Sequence, residues 1–199
     1  MGCDIHLYIE KKIKINGVET WVNCDDFRIN PYYSEDGQNG EKYEQRSIYL
    51  GRNYELFCIL ANVRGYCENT ISDPKGLPED VTEIVKKRSD YWESDGHSHS
   101  HLTLKEINDF LSDNPTVWVE GMISPESIEE LESSGKTPTM SAEFTTVEGW
   151  DYRTWEEESP LARLANKITE RLKEEFYLFD DEKTKEFDEK IRIVFWFDN

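Results

Sequence analysis

Cys3, Ile5, Leu7 and Ile9 alternate with polar neighbours at the start of the chain, a period of two that predicts a strand with one buried face. The strand is expected over about residues 3–15. Asn16-Gly17 forms the hairpin turn, and Val18 to Val22 is the return strand. The stretch near 30–47, with Pro31, Gly37 and Gly40 among Asn, Ser and Tyr residues, reads as a long loop. Behind Asn53, a good N-cap, the spacing of Tyr54, Phe57, Leu60 and Ala61 turns helical.

Pro78 is expected to open a short helix carrying Val81, Ile84 and Val85. Thr103 and Glu106 stand at capping-box spacing ahead of a helix with Leu104, Ile107 and Leu111 on its inner side. Ser124-Pro125 begins another helix that Gly135 ends, and Ser159-Pro160 begins the longest. Leu161, Leu164, Ala165, Ile168, Leu172 and Phe176 form the apolar stripe of that last helix. The closing run from Ile191 to Phe197 is apolar on both faces, which predicts a central strand.

Strands at both ends with helices between them predict an α+β fold in one domain over 1–199. The sheet is mainly antiparallel and holds both terminal strands, with the helices packed on one face. If the terminal strands are neighbours, Asp198 approaches Asp4 and His6.

Charge narrows the choice of partners. The chain has 199 residues, with 42 acidic against 23 basic and a formal net charge of −19. Such a field repels nucleic-acid backbones and anionic membranes, so direct nucleic-acid binding and membrane association are not expected. It favours basic protein surfaces and divalent cations. No apolar run is long enough to span a bilayer and no signal peptide is visible, which points to the cytoplasm. Cys3, Cys24, Cys58 and Cys67 lack CxxC spacing and are expected as reduced, mostly buried thiols.

All four histidines fall in two motifs, Asp4-Ile-His6 and His97-Ser-His99-Ser-His101. On a strand Asp4 and His6 share a face, and so do His97, His99 and His101 if the second run is extended. Asp4, His6, His97 and His99 are thus candidate ligands for a divalent metal such as Zn or Mn. The second run also precedes a helix start, whose backbone N–H groups, with Ser98, Ser100, His101 and Thr103, could hold a small anion such as a nucleotide phosphate. An exposed polar loop is the third reading. The tryptophan-rich stretch Gly149 to Trp155 reads either as a stacking surface or as part of the core.

The Asp-x-His and Gly96-His97-Ser-His99 blocks resemble those of calcineurin-like metallophosphoesterases. Those enzymes also need Gly-Asp and Gly-Asn-His-[Asp/Glu] blocks, which this chain lacks. Met1-Gly-Cys-Asp-Ile-His6, Asn53-Tyr-Glu-Leu-Phe57, Gly76-Leu-Pro78, His97-Ser-His-Ser with Leu102-Thr-Leu104, and Arg192-Ile-Val-Phe-Trp-Phe-Asp-Asn199 together resemble a family of uncharacterised phage and prophage proteins. That resemblance implies a phage-encoded accessory protein in the bacterial cytoplasm. Two functions are therefore carried forward. One is stoichiometric binding of a basic host protein or a small anionic ligand, of host-takeover or anti-defence type. The other is a metal-dependent phosphoesterase using the Asp4/His6 and His97/His99 pairs, with a bound water as nucleophile.

Overall fold

The computed structural model describes residues 2–36, 41–65, 67–176 and 187–199, without the side chains of 173–176. A four-stranded antiparallel sheet is built from β1 (Asp4–Ile15), β2 (Val18–Asn23), β5 (His97–Thr103) and β8 (Ile191–Asp198), in the order β2-β1-β8-β5. The two terminal strands pair from Asp4↔Asp198 to Lys11↔Ile191, so the fold is α+β with both chain ends in one sheet. Asn16 and Gly17, at φ 50° and 85°, make the turn between β1 and β2, where a positive φ is required at both positions.

Alternation decides what each face of the sheet covers. Cys3, Ile5, Leu7 and Ile9 of β1 and Ile191, Ile193, Phe195 and Phe197 of β8 point into the larger core. Three helices close that face: α1 (Tyr54–Ala61), α3 (Leu104–Asp113) and α5 (Pro160–Phe176). Asn53 caps α1 by accepting the Leu56 N–H, and the Thr103–Glu106 capping box of α3 forms in both directions. The opposite face carries a smaller cluster of Tyr8, Val194 and Trp196. It is covered by Val85 of α2 (Glu83–Tyr91) with Leu77, Val81 and Trp92, which corrects the expectation of helices on one face and of a single buried face on β1, since Tyr8 and Glu10 are buried there as well.

Helix α2 begins five residues later than Pro78 suggested. Residues 80–82 are engaged by the sheet instead: the Thr82 N–H donates to Glu10 and the Asp80 carbonyl accepts from Arg192, while the Val81 N–H closes a turn onto the Pro78 carbonyl. Two small hairpins stand outside the main sheet. One joins β3 (Asp26–Ile29) to β4 (Tyr43–Arg46), so the loop-rich stretch near 30–47 contains one short strand; residues 37–40 of it lie outside the description. The other joins β6 (Thr116–Ile123) to β7 (Asp151–Glu158), with α4 (Pro125–Ser134) in the connection. Ser124 caps α4 and Gly135, at φ 69°, ends it. No helix among the described residues is long and apolar enough to cross a membrane.

The expectation of four reduced thiols is corrected for two of them. Cys58 and Cys67 form a disulfide, with Cα atoms 5.9 Å apart, while Cys3 and Cys24 remain thiols. Asn62 ends α1 in the left-handed region and Arg64 repeats that conformation, which turns the chain back on the helix. Cysteine spacing alone does not reveal that turn.

Half-buried Asp25 is expected to make stability depend on pH. Asp25 accepts the Ile9 N–H at 3.1 Å and the Asn23 side-chain amide at 2.7 Å, but burial outweighs these bonds and pushes its carboxyl up to about 6. The folded chain then keeps a proton that the unfolded chain releases above about pH 4. The Asp25 contribution to stability is therefore expected to fall as pH rises from about 4 to 6, by up to about 3 kcal/mol, and to change no further above that window. Urea unfolding at pH 4, 5, 6 and 7 measures the slope. Asp25→Asn should remove it, and an unchanged slope in that variant would place the effect elsewhere.

Candidate functional site

The two histidine motifs meet at the sheet, but not as a metal cluster. His6 on β1 and Trp196 on β8 are cross-strand partners, with ring centroids 5.5 Å apart. On the other side of β8, His99 stacks on the same indole at 5.7 Å. The two imidazoles thus flank Trp196 from strands separated by two strand spacings, about 10 Å. Nitrogens sharing a zinc ion must each lie about 2 Å from it. Trp92, following α2, covers His6 at 4.2 Å.

His97 turns to the opposite face. The register runs His97↔Phe197 and then Ser100↔Phe195, so Ser98 and His99 together oppose Trp196. This is a β-bulge, with Ser98 at φ 50° in the left-handed region. One extra residue reverses the alternation: His97 stacks on Phe197 at 6.1 Å, while His99 and His101 face the Trp196 side. The shared face expected for all three histidines fails for this reason. Asp4 is also engaged elsewhere, in a two-pronged pair with Arg52 at 2.5 and 2.6 Å that holds its carboxyl below the ordinary range. Among the described residues no group of three or more His, Cys, Asp or Glu side chains is placed to hold a metal ion.

Two features of the cluster were anticipated. Asp198 reaches both motif residues, accepting the Asp4 N–H at 3.0 Å and standing 3.3 Å from His6 Nε2. Cys3 is buried in the larger core on the face opposite His6, which separates thiol from imidazole. The His6–Asp198 pair can orient an imidazole for proton transfer. Burial pushes the His99 imidazole down, favouring its neutral form.

The four residues expected to hold an anion are bonded within the fold. Ser98 Oγ lies 3.1 Å from His97 Nδ1, and the fully buried Ser100 accepts the Lys75 N–H. His101 Nδ1 lies 3.1 Å from the Gly76 carbonyl. The start of α3 already has its anion: Glu106 accepts the Thr103 N–H at 2.7 Å and its hydroxyl at 2.9 Å, and Lys75 Nζ neutralises the same carboxylate at 2.5 Å. The phosphate-like position is filled by the chain itself.

A second region emerges from residues with no recognisable motif. Residues 116–158 carry eleven carboxylates against only Lys136 and Arg153. The same span exposes Trp118 (65%), Met140, Phe144, Val147 and Tyr152. Trp155 is core, 3% exposed with its indole N–H donating to Glu157, so the two readings of the tryptophan-rich stretch resolve toward packing at that residue. Trp118, on the paired strand β6, is exposed instead. Beside it runs a groove of about 460 Å³ lined by Glu55, Trp118, Glu120, Glu157 and Arg163. A smaller cavity of about 120 Å³ adjoins it, sharing Glu55, Val117 and Trp118, with Ile59 and Phe110 in its wall. The sequence signal for this region was local charge imbalance, diluted by averaging acids over the whole chain.

Comparisons with protein-family models, with curated proteins and with solved structures gave no match to this chain.

Proposed function

We propose that this protein acts by binding, as a phage-type accessory protein whose acidic surface engages a basic surface of a host protein in the bacterial cytoplasm. The observation that carries this reading is the β6–α4–β7 region, where a strong excess of carboxylates coincides with exposed aromatic and apolar side chains. Charge of one sign steers and selects a basic partner, while exposed Trp and Tyr supply contact area on docking. A small anionic ligand has less support, because Ser98, Ser100, His101 and Thr103 are all bonded internally. The metal-dependent phosphoesterase also has less support, because the bulge at Ser98 turns His97 and His99 to opposite faces.

The test is capture from bacterial lysate at low and high salt. The wild type is compared with a variant in which Glu120, Glu126, Glu129 and Glu156 are replaced by Gln. The expected result is a basic protein retained by the wild type at low salt, released at high salt and not retained by the variant. Equal retention by both proteins, or none by either, overturns the reading. Stoichiometric Zn or Mn in protein purified without a His-tag, lost in His6→Ala and His99→Ala, would restore the metal reading in its place.

A further inference from the structure

Four consecutive residues, Val117 to Glu120, line the groove beside β6. Successive side chains of a strand point to opposite faces, so a groove that touches all four takes in the strand's edge as well as the face that Val117 shares with Glu157 of β7. The ladder shows which edge. Met122 donates to and accepts from Ala142 through its backbone, and therefore points away from β7. In an antiparallel ladder the backbone groups of alternate residues share a direction, so those of Trp118 and Glu120 point the same way as Met122. The Ala142 bridge ends at Met122, and among the described residues the edge is open at Trp118 and Glu120.

We propose that this open edge of β6 is a strand-addition site for an extended, lysine- or arginine-bearing segment of a partner protein. The inference rests on the binding reading above and places its contact. Main-chain hydrogen bonds to Trp118 and Glu120 supply affinity, and alternate side chains supply selectivity. On the outer face of the ribbon stand Trp118, Glu120, Tyr152 and Glu156, all exposed. The Tyr152 hydroxyl is hydrogen-bonded to Glu120. A cationic side chain here meets carboxylates and an indole face, the setting for an ion pair reinforced by a cation–π contact. On the inner side, the cavity walled by Ile59, Phe110 and Val117 accepts an apolar side chain.

Charge also selects the occupant within the groove. Glu55, Glu120 and Glu157 line it, against Arg163 as the one basic residue among the described lining residues. Half-buried Glu55 has its carboxyl pushed up by burial, a penalty that an incoming cation would relieve. A second copy of this chain would bring the same carboxylates to the same edge, so charge repulsion disfavours self-pairing.

The probe is an acetylated and amidated peptide alternating lysine and valine over eight residues, measured by calorimetry at 50 mM salt. Its fully N-methylated form keeps the charge and removes the main-chain donors. The expected result is saturable binding of the first peptide, weakened at least tenfold by N-methylation. Trp118→Ala, or Glu55→Gln with Glu120→Gln, should weaken it by a similar factor while the far-UV circular dichroism stays unchanged. All three side chains lie at the surface or half-buried, so these variants are expected to fold.

Binding that is salt-sensitive but indifferent to N-methylation and to these variants overturns the strand-addition site and leaves the broader acidic-surface reading standing. No binding of either peptide counts against both. A free protein that sediments as a dimer, and becomes monomeric on Trp118→Ala, assigns the edge to self-association and likewise overturns the proposal.

Discussion

Replacing Arg192 by methionine is expected to cost about 3–5 kcal/mol of stability, the usual penalty for stranding one member of a buried ion pair. Glu10 is fully buried and Arg192 is 4% exposed. The guanidinium reaches Glu10 Oε2 at 2.7 Å, Asp80 Oδ1 at 2.6 Å and the Asp80 carbonyl at 3.0 Å, and it lies 4.0 Å from the centre of the Trp21 ring. Glu10 uses its other oxygen to accept the Thr82 N–H at 2.8 Å. Without Arg192 the Glu10 carboxylate stays in the sheet with no cation, and the 80–82 segment loses its anchor.

The double variant Glu10→Leu/Arg192→Met should cost far less than the two single changes combined. Apolar side chains can replace a buried pair with little net penalty, leaving about 1–2 kcal/mol for the unsatisfied Thr82 N–H. Urea midpoints of the four proteins close the cycle. Strict additivity would mean that the two charges do not depend on each other.

Trp196→Ala should be comparably damaging, at about 3–5 kcal/mol. The indole is fully buried and packs against Tyr8 at 5.3 Å, His6 at 5.5 Å and His99 at 5.7 Å, so truncation opens a void shared by three rings. Trp196→Phe is expected to cost less, about 1–2 kcal/mol, because the buried indole N–H has no partner among the described residues and its removal forfeits no hydrogen bond there. A local readout accompanies the loss of stability. Burial holds the His99 imidazole down, so water entering the void in Trp196→Ala should return its titration toward the ordinary value. Histidine resonances followed by NMR across pH 5–8 measure this. An unmoved His99 would mean that the indole is not what keeps it dry.

The elements read most accurately were those whose signal is local. The alternation from Cys3 onward, the Asn16-Gly17 turn, the Thr103–Glu106 capping box, the Ser124 cap and the Gly135 stop all appear where the residues place them. Each depends on side chains acting on their own backbone within a few positions. The central place of β8 followed from its being apolar on both faces, whereas its pairing with β1 was only a conditional expectation. The β6–β7 hairpin was not legible, since Asp151–Glu158 is almost wholly polar and its partner strand lies across α4.

The sequence by itself determined the α+β class, the core-facing set Cys3, Ile5, Leu7 and Ile9 of β1, and, given paired terminal strands, the proximity of Asp198 to His6. Periodicity and capping carry that information in short stretches of chain. Only the tertiary structure decided the fate of the histidines and of the open edge beside Trp118. A single left-handed residue, Ser98, reversed the strand's alternation and separated His97 from His99, while Lys75 and Glu106 filled the expected anion position from segments 31 residues apart. Such outcomes depend on which distant groups satisfy one another's charges and hydrogen bonds, and no local pattern records that choice.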